Sequence, residues 1–228
     1  MRFEREKGLR VFVWIIILIS CATYTGCKLS FGGDDSNGSP ADADDDVSFA
    51  NDIERVSITS VGVQANGNSE APSISSDGSI VAFISEATNL VLVDTNDAQD
   101  VFVHDLETGL TERVSIASGG TQGNDDAFTL SLSSNGSFVA FGSYATNLVA
   151  GDTNDVIDVF VRDRDTGTTE RVSIATAGTQ ANDESYSPAI SSSGRFVAFR
   201  SDATNLVAND TNNNSDIFVR DRASGVTR

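Results

Sequence analysis

The sequence predicts an all-β fold, a β-propeller in which three four-stranded blades form part of a larger propeller. Three observations predict it. A 58-residue unit is written out three times without insertion or deletion, so Phe83, Phe141 and Phe199 stand at equal intervals. Each unit holds four short apolar or alternating segments bounded by Gly, Asn, Asp or Ser. Helical periodicity is absent throughout the repeats. Four strands in a period of about 40 to 60 residues is the pattern of a propeller blade, and such a blade covers both faces only when neighbours stack on it.

The repeat region is 52–228, with blades over 54–111, 112–169 and 170–227. Each copy opens on Glu-Arg-Val-Ser-Ile (54–58, 112–116, 170–174), whose alternation and β-branching predict a strand. A polar loop follows, as at 178–185, and then a short strand of small residues, 187–191. Asp77-Gly78, Asn135-Gly136 and Ser193-Gly194 predict tight hairpins, with positive φ available at both positions of Asp-Gly or Asn-Gly. They lead into strands such as Phe196–Phe199. A long Asn/Asp loop precedes Asp216–Asp221, an almost continuous apolar strand expected to be buried on both faces. Turns at Gly109, Gly167 and Gly225 then lead on to the next copy.

In this arrangement the strand carrying Ser73 and Ser75, Ser131 and Ser133, or Ser191 lies nearest the axis, where small residues fit. The Glu-Arg-Val-Ser strand is outermost and displaced by one blade. The outer strand expected after Arg228 is then either missing or supplied by Glu54–Ile58. Closed propellers take about four to eight blades. Three blades therefore imply a truncated product, half of a six-bladed homodimer, or an open stack.

Ser76–Phe83 with Asp100–Gly109, Ser134–Phe141 with Asp158–Gly167, and Ser192–Phe199 with Asp216–Gly225 share one pattern. It resembles the TolB-type, WD-like β-propeller repeat, and the resemblance covers roughly 52–228. Ser76, Ser134 and Ser192 stand where that family usually has Pro, but the turn keeps its Gly. The resemblance implies a propeller that binds protein partners.

The N-terminus predicts export. Arg2, Arg5, Lys7 and Arg10 precede the ten apolar residues of Val11–Ser20, too few for the roughly 20 of a membrane span. Residues 1–20 therefore read as a signal peptide. Leu18-Ile19-Ser20-Cys21 resembles a bacterial lipobox, which implies cleavage before Cys21 and acylation of its thiol; Cys27 is the alternative site. An ordinary secreted protein and an uncleaved anchor are the other readings. Residues 21–51 form an acidic linker, and Gly32–Asp46 has no apolar residue larger than Ala with which to offset its ordering entropy. The expected location is the bacterial cell envelope, as an outer-membrane lipoprotein touching membrane through its lipid alone.

Acidic residues number 33 and basic residues 15, a net charge of −18. No basic patch offsets this, which argues against nucleic acid and favours cations or basic partners. The only cysteines lie before the repeats, so no disulfide staples the fold.

The longer loops share one face, an acidic rim that includes Asp125, Asp126, Asp183 and Glu184. Asp-Thr-Asn-x-x-x-Asp recurs there as Asp94, Asn96 and Asp100; Asp152, Asn154 and Asp158; and Asp210, Asn212 and Asp216. Oxygen ligands at alternate positions are the grammar of a calcium loop, here without the Gly and Glu of a full EF-hand. The same residues also make Asx turns, and both readings stand. Asp97 and Asp155 become Asn213 in the third copy, which marks that position as exposed. In Ala-Thr-Asn-Leu (87–90, 145–148, 203–206) the Leu is expected to pin the loop and Thr and Asn to satisfy backbone groups.

His104 is the only histidine, and its equivalents are Arg162 and Arg220. There is no Gly-x-Ser-x-Gly elbow, phosphate loop or zinc set. The expectation is a non-catalytic, lipid-anchored binding or scaffold module presenting an acidic face to a protein partner. The alternative is the propeller portion of a larger hydrolase or lyase.

Overall fold

The computed structural model describes residues 53–228. The expected signal peptide (1–20), Cys21, Cys27 and the linker (21–51) lie outside the described residues.

Three four-stranded antiparallel sheets follow one another along the chain. The first is β1 (Ser69–Ile74), β2 (Ile80–Ser85), β3 (Asp100–Asp105) and β4 (Thr111–Arg113), in that spatial order. The second is β5 (Ala127–Leu132), β6 (Phe138–Ser143), β7 (Asp158–Asp163) and β8 (Thr168–Arg171). The third is β9 (Ser185–Ile190), β10 (Phe196–Ser201), β11 (Asp216–Asp221) and β12 (Val226–Thr227). They are propeller blades of the up-and-down kind.

The outer strand is displaced as the sequence predicts, since β4 and β8 end on Glu112-Arg113 and Glu170-Arg171, which open the next copies. It is shorter than expected. After Arg113 only the Val114 N–H still reaches across, to the Val101 carbonyl (2.8 Å). The Ser115 hydroxyl then takes the Val101 N–H (3.1 Å) in place of a ladder partner. The chain bends back so that Ile116 bridges Gln122. Two expectations are corrected. Glu54–Ile58 forms no strand, and only Ile58 makes a β-bridge, to Gln64. The third sheet has its own outer strand, β12, so Glu54–Ile58 does not supply it. The hairpins differ as well. Only the Gly takes positive φ, as Gly78 does (77°), while Asp77 does not. The loop instead closes on the Asp77 carboxylate, which accepts from the Ser75 hydroxyl (2.6 Å) and the Ser79 N–H (3.0 Å).

Side chains alternate between the two faces of each sheet, and both faces are apolar. Val139, Phe141 and Phe160 of the second blade join Ile80, Ala82, Ile84, Val101 and Val103 of the first in one core cluster. Ala140, Val159 and Val161 join Val197, Phe199 and Phe218 of the third in another. Each blade keeps a Phe pair across its two middle strands, Phe141 and Phe160 standing 5.8 Å apart. Full burial stabilises each such ring by roughly 1.5–3 kcal/mol. The inner strands β1, β5 and β9 each carry a bulge, with Ala71, Thr129 and Ser187 at positive φ. The Ser131 hydroxyl accepts the Ile190 N–H (3.1 Å), tying the second and third blades at their inner strands.

The hairpin turns also pack between blades. A Cβ on Gly194 would strike the Phe138 ring of the second blade, whereas one on Gly78 would meet nothing within 4 Å. Both residues sit at positive φ. Gly78→Ala should therefore cost only the backbone strain, about 1–2 kcal/mol. Gly194→Ala should cost about 1–3 kcal/mol more for the overpacked ring. Urea denaturation of the two variants checks the order, and equal losses would contradict this packing.

Candidate functional site

The Asp/Asn loops are organised around a buried arginine. In the first blade Arg113 Nη1 lies 3.1 Å from Asp94 Oδ1 and 3.0 Å from Asp100 Oδ2. Its Nη2 donates to the Val93 carbonyl (2.7 Å). Gln122 Nε2 donates to Asp94 (2.9 Å), the Ser115 hydroxyl to Asp100 (2.5 Å) and Asn96 Nδ2 to Asp100 (3.2 Å). The second blade repeats the set. Arg171 bridges Asp152 (3.0 Å) and Asp158 (3.1 Å), with Gln180, Ser173 and Asn154 in the supporting places. Each Arg side chain is 9% exposed and its two acids are 3% or less.

The local sequence explains the loop shape. Asn96 Oδ1 accepts the Ala98 N–H (3.3 Å), an Asx turn. Asp97, Asp155 and Asn213 follow at φ 52–53°, a left-handed conformation that Asp and Asn tolerate. They are exposed, as the sequence predicts.

The structure thus brings together Asp94, Asn96 and Asp100, and Asp152, Asn154 and Asp158, but around a guanidinium. These residues do not fit calcium, since the cation's place is taken by Arg113 or Arg171. Among the described residues no group of three or more His, Cys, Asp or Glu could hold a metal ion. The decisive partners, Arg113 with Gln122 and Arg171 with Gln180, come from the next copy. Their signal was the fixed 58-residue spacing of Glu-Arg-Val-Ser and Gln. In the third blade Asn212 Nδ2 donates to Asp216 (2.9 Å), but no guanidinium among the described residues reaches Asp210 or Asp216.

Two acids share one arginine, and burial raises one of each pair. Burial pushes the Asp100 carboxyl up, opposed by the Ser115 hydroxyl and Arg113. Burial and the neighbouring Asp158 push Asp152 up. The carboxylates at the hairpin turns behave oppositely. The Ser75 hydroxyl, then the Ser79 N–H and hydroxyl, hold Asp77 down at about 2. Burial would raise Asp105 and Asp163, but N–H and hydroxyl donors at Thr108 and Thr166 lower both overall.

The Ala-Thr-Asn-Leu loops do as expected. Leu90, Leu148 and Leu206 are buried. Asn89, Asn147 and Asn205 donate to the carbonyls of Gln64, Gln122 and Gln180 (2.8–2.9 Å). His104 is buried and its Nδ1 meets Thr111 Oγ1 at 2.8 Å; Arg162 and Arg220 bond Thr169 and Thr227 in the same place. It is a strand tie.

The rim leaves one acidic cleft in the first blade, about 410 Å³, lined by Glu86, Thr88, Asp97, Ala98, Gln99 and Asp126. Glu86 and Asp97 are exposed. Asp202, Thr204, Asn213, Asn214 and Ser215 line the equivalent cleft of the third blade. In the second, Tyr144 stands where Glu86 does and packs edge-on against Phe128, 5.1 Å between centroids. Sequence reasoning missed Glu86 and Gln99. The clue was the variation at that position, Glu86, Tyr144 and Asp202, in an otherwise regular repeat.

No protein-family model and no curated protein sequence matches the chain. Among solved structures it is similar to TolB from Acinetobacter baumannii, at 16% identity and a TM-score of 0.44, over 73% of this chain and 33% of that one. The β-propeller domain of the Trilobed protease from Pyrococcus furiosus is 14% identical, with a TM-score of 0.43, over 72% of this chain and 42% of that one. The tricorn protease is 18% identical, with a TM-score of 0.43, over 68% of this chain and 14% of that one. The chain spans less than half the length of each. The similarity is to TolB-like and peptidase propeller domains, and it is one of fold.

Two predictions follow from these geometries. Arg171→Met leaves Asp152 and Asp158 buried without a cation and should destabilise the protein by about 3–5 kcal/mol, read by urea denaturation. A loss under about 1 kcal/mol would show the node to be structurally idle. The second concerns acid. Asp77 has a folded value near 2 against an ordinary 3.8. Its stabilisation is complete above the higher value and is lost as pH falls toward the lower one. Asp77→Asn should therefore flatten the fall in melting temperature between pH about 4 and about 2. An unchanged acid limb in that variant would exclude Asp77 as a source.

Proposed function

We propose that this chain is a non-catalytic binding module of the bacterial cell envelope, taking a basic segment of a protein partner on its acidic loop face. The observation that carries the reading is the cleft of Glu86, Asp97 and Asp126. The acids of the Asp/Asn loops in the first two blades are spent on Arg113 and Arg171. Glu86 and Asp97, by contrast, are exposed, Asp126 is half-buried and accepts the Gln99 N–H (2.7 Å), and none of the three makes a salt bridge with a described residue. Glu86 accepts only from Asn68 (3.1 Å) and Gln99 (3.3 Å) amides. A Lys or Arg entering there gains roughly 1–4 kcal/mol per close carboxylate before desolvation is subtracted. The net charge of −18 adds long-range attraction for a basic partner. The basic and apolar N-terminus and the lipobox-like run support export and a lipid anchor at Cys21, with Cys27 as the alternative. Calcium has no part in this reading.

The test uses the full chain in detergent with a synthetic Lys- and Gly-containing peptide, followed by fluorescence anisotropy. Binding should weaken about tenfold or more between low and high salt. The Glu86→Gln/Asp97→Asn double variant should weaken it at least about fivefold, since each lost pair is worth about 0.5–1 kcal/mol. Absence of binding, or binding indifferent to the double variant, would overturn the proposal.

A further inference from the structure

Two hollows of the first blade meet at one residue. Thr88 lines the acidic cleft of Glu86, Asp97 and Asp126, and it also lines a groove of about 590 Å³. Leu90 and Val91 floor that groove, and Val61, Val63 and Leu92 wall it. The walls are large apolar side chains standing in water: Val61 is 86% exposed, Val63 54% and Leu92 102%. A contiguous apolar patch rimmed by polar residues is the pattern of a docking surface.

The opening belongs to the repeat, while the large apolar walls belong to the first copy. The second blade is packed on both faces, and its equivalent groove, about 470 Å³ over Leu148 and Val149, is open all the same. Gly119, Thr121 and Ala150 stand there in place of Val61, Val63 and Leu92. The third copy has Ala177, Thr179 and Ala208. All of these residues are exposed, so stacking of the blades does not call for bulk at these positions. The acidic cleft varies along with them. Tyr144 replaces Glu86 in the second blade, and the third keeps Asp202 beside small or polar walls. Among the described blades the first alone sets acids and large apolar side chains side by side.

Hydrogen bonds hold the groove in shape. The Thr59 N–H donates to the Val63 carbonyl (2.8 Å) and Thr59 Oγ1 accepts the Val63 N–H (3.0 Å), which sets Val61 in a closed turn. The Thr111 N–H donates to Ser60 Oγ (2.9 Å) and Thr111 Oγ1 to the Ile58 carbonyl (2.5 Å), tying that turn to the blade. Asn66 clasps the loop at Thr88. Its N–H donates to Asn89 Oδ1 (3.0 Å), its Nδ2 donates to Thr88 Oγ1 (3.0 Å), and its Oδ1 accepts the Thr88 N–H (2.9 Å). Beside Leu92, the Val93 carbonyl is held by Arg113 Nη2 (2.7 Å). A ligand entering here therefore loses little affinity to the ordering of loops.

We infer, building on the acidic-face reading, that the first blade takes a basic segment bearing an aliphatic side chain a few residues from its Lys or Arg. The cation enters beside Glu86 and Asp97. The aliphatic side chain lies between Val61 and Leu92, over Leu90. The two hollows do different work. The acids attract and orient, and many basic segments satisfy them. The groove selects among those segments, because a Gly, Ser or Asp at that place leaves Val61 and Leu92 in water. An aliphatic side chain laid against Thr88 also keeps water from the edge of the cleft, which strengthens the ion pairs there. The third blade, with Asp202 but without apolar walls, offers a basic segment charge alone.

The test places the full chain in phosphatidylcholine nanodiscs, since detergent would compete for the groove, with empty discs as the control. Fluorescence anisotropy follows a Lys–Gly peptide and a set of the same peptide with a single Leu at successive distances from its Lys. The best Leu peptide should bind at least about tenfold tighter than the Lys–Gly peptide. The Val61→Ser/Leu92→Ser double variant should remove that gain and leave the Lys–Gly peptide bound as before. Both side chains are exposed, so the fold does not depend on them. Glu86→Gln/Asp97→Asn should weaken every peptide. If the Lys–Gly peptide binds but Leu brings no gain, or the gain survives Val61→Ser/Leu92→Ser, the inference falls and the acidic-face reading stands. An equal gain on empty discs assigns the effect to lipid and also overturns it. So does light scattering that finds the parent chain dimeric and the same double variant monomeric, since a second copy then fills the groove. If no peptide binds, the acidic-face reading falls and takes the inference with it.

Discussion

A four-stranded sheet with two apolar faces cannot be stable alone in water, and this constraint governs the molecule. The second blade shows it satisfied. Val139, Phe141 and Phe160 are covered by the first blade, while Ala140, Val159 and Val161 are covered by the third. The hairpin turns obey the same demand, with Gly194 fitted against Phe138 so closely that a single carbon is excluded. Stacking comes first, and the loops inherit their positions from it.

The arginine nodes are the polar counterpart of that stacking. The outer strand of a blade and the first loop of the next copy are one continuous segment. A residue from that segment, bound to acids of the preceding blade, ties the two units together. Arg113 does this by meeting Asp94 and Asp100, while Gln122, nine residues on, bonds the same acid and is itself held by Asn147 of the second blade. Burying two carboxylates with one guanidinium is costly in isolation. Ser115, Asn96 and Gln122 offset that cost with hydrogen bonds to the carboxylate oxygens. The loops that look most like ion-binding sequence are therefore joints, and the surface left for partners is the cleft beside them, lined by Glu86, Asp97 and Asp126.

Much of this architecture was legible in the chain. Equal spacing of Phe83, Phe141 and Phe199 identified the unit, and alternation identified the strands within it. The displacement of Glu-Arg-Val-Ser by one blade was legible too. The length of that strand was not, because it ends where a Ser115 hydroxyl replaces a ladder bond, and hydroxyl geometry leaves no periodic trace. Asp77-Gly78 announced a turn, but whether Asp77 takes positive φ depends on what its carboxylate can reach.

By itself the sequence determined what repeats: a β unit, its period, its turn residues and the positions that must be apolar on both faces. Those properties are local, set by side-chain volume, branching and alternation within a few residues. Only the tertiary structure decided what the acidic loops do. Asp94 and Asp100 could have faced a metal ion or solvent, and their own segment reads equally well either way. In this structure a guanidinium from Arg113, thirteen residues beyond Asp100, occupies the space between them. Long-range electrostatics is decided by which charges the fold brings within about 3 Å of each other, and no spacing rule within one loop carries that information.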